Sequence, residues 1–274
     1  MNAQKHIIPP LFLAALSLVL AVLFSRPVLA QNNAQADSAQ QADSAYRHLP
    51  IMQTDLTKAL FMVDSICYKD SVWDDDYENL SPVNRCFPLP DPLGFIGSNY
   101  QRFFIHFDSI AFLGNGAYFV WGRTKMRNHI NSFSGTMQID SVRYFEPDTF
   151  ENPCMEECGY IKLSYSFVVE EKKGHGILEG KSWYDFIIEE RQFHYSTLYI
   201  IADGYENGQY QGTYRHPSGR VEKCNWGHFR IPDSGPLDNG CGVFVPHEKY
   251  RRYGWDTYNY GLESDCDWWK NSPK

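Results

Sequence analysis

The stretch from Cys224 to Cys241 contains the side chains of this chain that are best suited to binding chemistry. It is rich in glycine and proline, and it brings together Trp226, His228, Arg230, Asp233 and Asp238. Loops carried by a rigid β scaffold are where binding groups tend to lie. A tryptophan beside an arginine and carboxylates suits a sugar or another polar ligand, through ring stacking and oriented hydrogen bonds. We therefore predict a ligand-binding loop.

The same stretch has a structural alternative. In an irregular closed loop, Trp226 would cover the core and Arg230 would pair with Asp233 or Asp238, while the two cysteines would close the loop. Residue types alone do not decide between binding and structural roles.

A second aromatic stretch lies near the C-terminus, at 253–260, and is followed by Trp268 and Trp269. As a stacking platform for a glycan or a peptide, it adds Trp255 and Tyr258 to the candidate ligand-binding residues. The alternative is a tail that buries its rings against the folded domain.

Motifs for catalysis and for cofactors are missing from the sequence. It has no Gly-x-Ser-x-Gly elbow, no phosphate-binding loop and no dinucleotide fingerprint. The histidines and cysteines between positions 216 and 247 match no zinc-binding spacing. We predict no catalytic residue, no metal site and no cofactor. Paired carboxylates acting on a glycan or a peptide remain open as an alternative, because they need no sequence motif.

The first thirty residues have the composition of a secretory signal peptide. Lys5 precedes an apolar run from Leu11 to Phe24, and Val28 to Ala30 supply a cleavage site before Gln31. We predict an exported protein, periplasmic or extracellular, with no stable membrane span once the signal is removed. The net charge of −8 disfavours nucleic acid as a partner.

Seven cysteines follow the predicted signal peptide. In an oxidising compartment they are expected to form structural disulfides. We expect neighbours to pair, Cys67 with Cys86 and Cys224 with Cys241, and Cys154 and Cys158 could close a small loop. Because seven is odd, at least one thiol should be free or bonded to another chain.

The segments that precede the strands are predicted from composition and spacing. Residues 31–54 read as a disordered polar tether, and residues 55–98 as a helix and loop segment that packs on the main domain. Leu56, Leu60 and Val63 share one helical face, with Asp55 available as a cap. The stretch from Trp73 to Pro92 is expected to be a loop.

From residue 99 to residue 274 we predict one antiparallel β domain with an irregular aromatic C-terminal segment. Phe103, Ile105 and Phe107 alternate with polar residues, which is typical of a half-buried strand. About eight such strands follow one another, ending with Phe193–Asp203, Gln209–Arg215 and Arg220–Trp226. Hairpin turns are predicted at 114–116, 173–176, 206–208 and 217–219.

Consecutive strands with short connections predict an all-β fold. A closed barrel of lipocalin- or avidin-like architecture is preferred over a sandwich, because the connections show no Greek-key crossing. Together with the missing catalytic motifs, this predicts a non-catalytic domain that binds a small ligand, a glycan or an envelope protein. The alternatives are a secreted hydrolase and a structural or assembly component of the envelope.

Overall fold

The computed structural model describes residues 50–60, 63, 65–73, 80–145, 159–172, 176–189, 192–258 and 268–271. The predicted signal peptide and most of the predicted tether lie outside these ranges. The strands are β1 (Ser65–Trp73), β2 (Leu80–Pro88), β3 (Leu93–Ile96), β4 (Gln101–Gly114), β5 (Ala117–Met126), β6 (His129–Phe145), β7 (Gly159–Glu171), β8 (Ile177–Glu189), β9 (Gln192–Tyr195), β10 (Asn207–Arg215) and β11 (Val221–His228).

Eight of these strands close into an antiparallel barrel, as the sequence predicted. Around the barrel the order is β3-β4-β5-β6-β7-β8-β10-β11, and β11 pairs with β3 to close the ring. The short strand β9 pairs with the last residues of β8, and β10 pairs with the preceding part of the same strand. The barrel has a near end, with the turns at 97–100, 127–128 and 216–220, and a far end, with the turn at 115–116.

Inward-facing side chains fill the barrel. On β7, Ile161, Leu163, Tyr165, Phe167 and Val169 are at most 1% exposed, as expected where alternate residues of a strand face one side. Neighbouring strands add further buried side chains to the same core, among them Tyr118, Phe133, Phe186, Tyr210 and Trp226. The interior is therefore a packed aromatic and aliphatic core.

The segment that precedes the strands plugs the far end of the barrel. A 3₁₀ turn (Ile51–Gln53) and helix α1 (Thr57–Leu60) contribute Ile51, Leu56 and Leu60 to the barrel core. The Asp55 carboxylate accepts a hydrogen bond from the backbone N–H of Thr57 at 2.9 Å, which is the predicted capping contact. The structure describes one turn of this helix, and burial of its apolar side chains in the barrel core holds it in place.

The region predicted as a loop, Trp73–Pro92, contains β2, which pairs with β1 in an antiparallel hairpin. Cys67 and Cys86 face each other in its register and form the predicted disulfide. Pro82 and Pro88 lie within β2, because proline is tolerated on the open edges of a two-stranded sheet.

The eighth strand of the barrel is not the one that the sequence predicted. Of the stretch 193–203, only 193–195 is extended, and residues 198–204 form turns. The eighth strand of the barrel is β3 instead. Its four residues are too few to show an alternation of apolar and polar side chains. The hairpin turn predicted at 206–208 is not formed, because strand β10 already begins at Asn207. Its amide bonds the backbone of Asp185 at 2.9 and 3.0 Å and that of Ser196 at 3.3 Å, so the position is structural.

After β11 the chain returns along the outer wall of the barrel from the far end to the near end. On this outer wall the chain forms a second, smaller core over β3, made of Phe95, Ile231, Leu237, Phe244, Tyr250 and Trp255. Within the described ranges, no helix is long and apolar enough to cross a membrane.

Candidate functional site

Trp226 and His228, predicted as ligand-binding residues, lie in the barrel core. Trp226 is 2% exposed and stacks on Tyr210 with 3.5 Å between ring centroids. The Nδ1 atom of His228 is 2.8 Å from the Tyr195 hydroxyl, and burial lowers the pKa of this histidine to about 4. Neither side chain is placed to meet a ligand from solvent.

Arg230 and Asp238 hold the predicted loop in shape. They form an ion pair at 2.6 Å in which the Asp238 side chain is 6% exposed. Arg230 also donates to the backbone carbonyls of Gly240 and Gly242, at 3.2 and 2.9 Å. Asp233 lies apart from them, exposed and paired with Lys223. Arg230 and Asp238 therefore have the structural role of the alternative prediction, in which their ion pair shapes the loop.

Cys224 and Cys241 do not form the disulfide that the sequence predicted. Both thiols are free, and Cys224 is buried in the barrel while Cys241 is exposed in the loop. Neighbouring positions in sequence suggested a bond, but Cys224 faces the interior from β11 and Cys241 lies outside the barrel. Cys154 and Cys158 lie outside the described residues.

Trp255 and Tyr258 pack on the outer wall of the barrel, which agrees with the alternative in which the aromatic tail buries its rings against the folded domain. Trp255 is 1% exposed, and its indole N–H donates to the Tyr100 carbonyl at 2.8 Å. Both rings lie beside the guanidinium of Arg102, whose central carbon is 5.3 Å from the Trp255 centroid and 5.5 Å from that of Tyr258. This places them at the edge of a cleft.

The cleft has a volume of about 490 Å³ and lies on the outer wall, close to the end of the barrel that carries the turns at 97–100 and 127–128. It is bounded by the start of β4, the end of β5 with its following turn, and the C-terminal segment 252–257. Its lining includes four basic side chains and one acidic one, namely Arg102, Lys125, Arg127, Arg252 and Asp256. Phe104 and Tyr253 add aromatic surface.

Strand register places Lys125 against Phe104. The two residues are partners in the β4–β5 ladder, and the Lys125 Nζ atom is 4.6 Å from the ring centroid of Phe104. Arg127 follows in the β5–β6 turn with φ of 55°, and its Nε–H donates to the Gln101 side chain at 3.1 Å. The end of β5 and the turn that follows it thus present two cations on one wall of the cleft.

Arg102 ties the opposite wall to the barrel. Its guanidinium donates to the Gly254 carbonyl at 3.3 Å and to the Thr257 hydroxyl at 3.1 Å. Gly254 has φ of 92°, and a Cβ there would be 3.2 Å from the Cβ of Arg102. The left-handed backbone and this close approach both favour glycine at the position.

Three of the cleft cations lack an acidic partner. In the part of the chain that the structure describes, no carboxylate forms an ion pair with Lys125, Arg127 or Arg252. Arg252 donates instead to the Tyr253 hydroxyl at 3.1 Å. Ammonium and guanidinium groups in a partly enclosed, aromatic-lined site favour a carboxylate, phosphate or sulfate group.

No group of three or more histidine, cysteine or acidic side chains able to hold a metal ion occurs among the described residues.

Sequence reasoning missed the cleft because its residues come from three separated segments. Arg102 was assigned only to the polar face of a strand, and the β5–β6 turn was not identified. Two basic pairs in an acidic chain could have indicated an anion-binding site, namely Lys125 with Arg127 and Arg251 with Arg252.

Fold and site together define a small antiparallel β-barrel with a cationic cleft on its outer wall. The chain matches no protein-family model, no curated protein and no solved structure.

Proposed function

We propose that this protein is an exported, non-catalytic β-barrel domain that binds a small anionic ligand in the cationic cleft. The observation that carries the proposal is the set of three cations, Lys125, Arg127 and Arg252, without a described acidic partner in a protein of net charge −8. Like charges held around one cleft repel each other, so a bound anion would be stabilised by all three cations at once.

The ligand has one or more carboxylate, sulfate or phosphate groups and is the size of a sugar or a small metabolite. The cleft volume lies within the range of small-molecule sites, about 300–1,000 Å³. Arg127 and Arg252 come from opposite walls and can each donate two parallel hydrogen bonds to such a group. Tyr253 offers a ring face against which the body of the ligand can stack.

Location outside the cytoplasm is part of the same proposal. It is supported by the N-terminal signal pattern and by the disulfide between Cys67 and Cys86, a bond that persists mainly in oxidising compartments. An acidic glycan fragment would be one ligand available there.

Isothermal titration calorimetry with a charged and a neutral sugar tests the proposal. Glucuronate and glucose share a ring and differ in the carboxylate, and citrate and sulfate extend the set of anions. The test variant is Lys125→Gln/Arg127→Gln. The matched control is Lys249→Gln/Arg251→Gln, which removes the same charge from side chains that do not line the cleft.

We expect at least one of the anions to bind and glucose not to bind. The cleft variant should weaken that binding roughly tenfold or more, because two charge-assisted contacts are lost, while the control variant retains wild-type affinity. Absence of binding for all three anions, or equal affinity of the cleft variant, would refute the proposal.

A further inference from the structure

Exposed apolar side chains concentrate at the far end of the barrel. Seven large apolar residues are strongly exposed among the described residues, and four of them come from two loops, namely Tyr199 (47%), Ile201 (70%), Val243 (40%) and Val245 (43%). Single exposed apolar residues are normal on a soluble protein, but a local concentration marks an interaction site.

The two loops form one surface because their backbones are joined. The N–H of Gly204 donates to the carbonyl of Gly242 at 3.1 Å. The Asp203 carboxylate packs on Gly242 so closely that a Cβ there would be 2.3 Å from its Oδ1 atom. We call the surface formed by residues 198–206 and 241–245 the far-end surface.

A concavity with an acidic lining lies in the far-end surface. It has a volume of about 240 Å³, and Asp185, Asp203 and Glu206 line it together with Tyr199 and Tyr205. This space matches one long side chain rather than a whole small molecule, because small-molecule sites usually exceed about 300 Å³.

The charge balance around the concavity is negative. Among the described residues, the cations that act on Glu206 are Lys162, whose Nζ is 3.6 Å from Asp185, and Arg230, which is already paired with Asp238. Partial burial raises the pKa of the Glu206 carboxyl, and Lys162 and Arg230 oppose that shift. A cation that entered the concavity would meet the exposed carboxylates of Asp203 and Glu206 and, deeper, that of Asp185, whose side chain is 15% exposed. An ion pair with a carboxylate that is partly shielded from water is stronger than one in bulk solvent.

We propose that the far-end surface docks a basic, amphipathic peptide segment of a partner protein. A lysine or arginine of that segment enters the acidic concavity, and its neighbouring apolar side chains pack on Tyr199, Ile201, Val243 and Val245. This partner class is favoured over a second copy of the chain, because two molecules of net charge −8 repel each other. The docking is independent of the anion cleft, which opens near the other end of the barrel.

Fluorescence anisotropy with two labelled peptides tests this proposal. The first is a short peptide of lysine and leucine residues, and the second has glutamate in place of lysine. The full mature protein is compared with Asp203→Asn/Glu206→Gln, which removes the charge, and with Ile201→Ser/Val243→Ser, which removes apolar surface. Glu179→Gln/Glu248→Gln and Val168→Ser/Val221→Ser are the matched controls, since all four residues are exposed and lie outside the far-end surface.

The lysine peptide should bind and the glutamate peptide should not. Each far-end variant should weaken binding about tenfold, and both controls should leave it unchanged. Equal binding of the two peptides, or full binding by both variants, contradicts the proposal. Sedimentation that shows a dimer lost in Ile201→Ser/Val243→Ser would also contradict it, because the occupant would then be a second copy.

Discussion

The ring of Trp226 stacks on the ring of Tyr210, its partner across β10 and β11, with 3.5 Å between centroids and an angle of 11° between planes. Phe103 and Phe167 pack against the same indole, with centroids 6.0 and 5.5 Å away. The ring that the sequence offered as a ligand platform thus fills the barrel. This ring therefore offers no surface to a ligand, whereas the cationic cleft lies on the outer wall of the barrel.

Replacement of this ring tests its role in the core. Trp226→Ala should lower the free energy of unfolding by about 3–5 kcal/mol, because it leaves a large cavity between packed strands. Val221→Ala, on the exposed start of the same strand, should change it by no more than about 0.5 kcal/mol. Chemical denaturation of both variants measures these values. A Trp226→Ala protein of wild-type stability would place the indole outside the core.

Two buried tyrosines should respond in opposite directions to the loss of their hydroxyl. The Tyr165 hydroxyl is buried and has no hydrogen-bond partner among the described residues, whereas the Tyr195 hydroxyl bonds His228 at 2.8 Å. Tyr165→Phe should therefore stabilise the fold by about 1 kcal/mol, and Tyr195→Phe should destabilise it by about as much. Equilibrium unfolding decides the sign, and destabilisation by Tyr165→Phe would show that its hydroxyl has a partner.

His228 should make the fold less stable in mild acid. Its folded pKa is about 4 and the ordinary histidine value is 6.5, so between these pH values the unfolded chain binds a proton that the folded protein does not. Stability is therefore lost as the pH falls from 6.5 towards 4, by about 3 kcal/mol in total. Unfolding curves at several pH values should show a smaller loss for His228→Gln than for wild type. Identical pH dependence would contradict the assignment.

The thiols should differ in their reactivity towards iodoacetamide. Cys241 is exposed, while Cys224 is buried and burial raises its pKa well above the ordinary value. Because the thiolate is the reacting form, the native protein should be labelled at Cys241 and not at Cys224. Peptide mass spectrometry before and after denaturation separates the two. Recovery of a peptide pair linked between Cys224 and Cys241 would restore the disulfide that the sequence suggested.

The sequence predicted the barrel because strand alternation is a local property. Phe103 and Ile105 face inward as their spacing required, and the turn at 114–116 lies where glycine and asparagine permit positive φ. The short strand β3 was missed because four residues carry no measurable period. Its place is fixed by pairing with β4 and β11, a long-range contact that composition does not report.

The site was harder to predict than the fold. Trp226 and Arg230 were predicted as ligand-binding residues from their side-chain types. Whether such a side chain is buried or paired is decided by tertiary packing. The cleft cations Lys125 and Arg252 are separated by more than a hundred positions, and only the return of the C-terminal segment along the wall brings them together. No local pattern reports such proximity.

Nuclear magnetic resonance titration of the labelled protein with citrate tests the central claim most directly. Binding in the cationic cleft predicts shifts of the backbone amide signals of Lys125, Arg127, Asn128 and residues 252–257, with signals of Tyr210 and Trp226 unchanged. Lys125→Gln/Arg127→Gln should abolish these shifts. Shifts confined to the barrel interior or to residues 198–206 would contradict the assignment of the cleft as the binding site, and so would the absence of shifts at saturation with citrate, glucuronate and sulfate in turn.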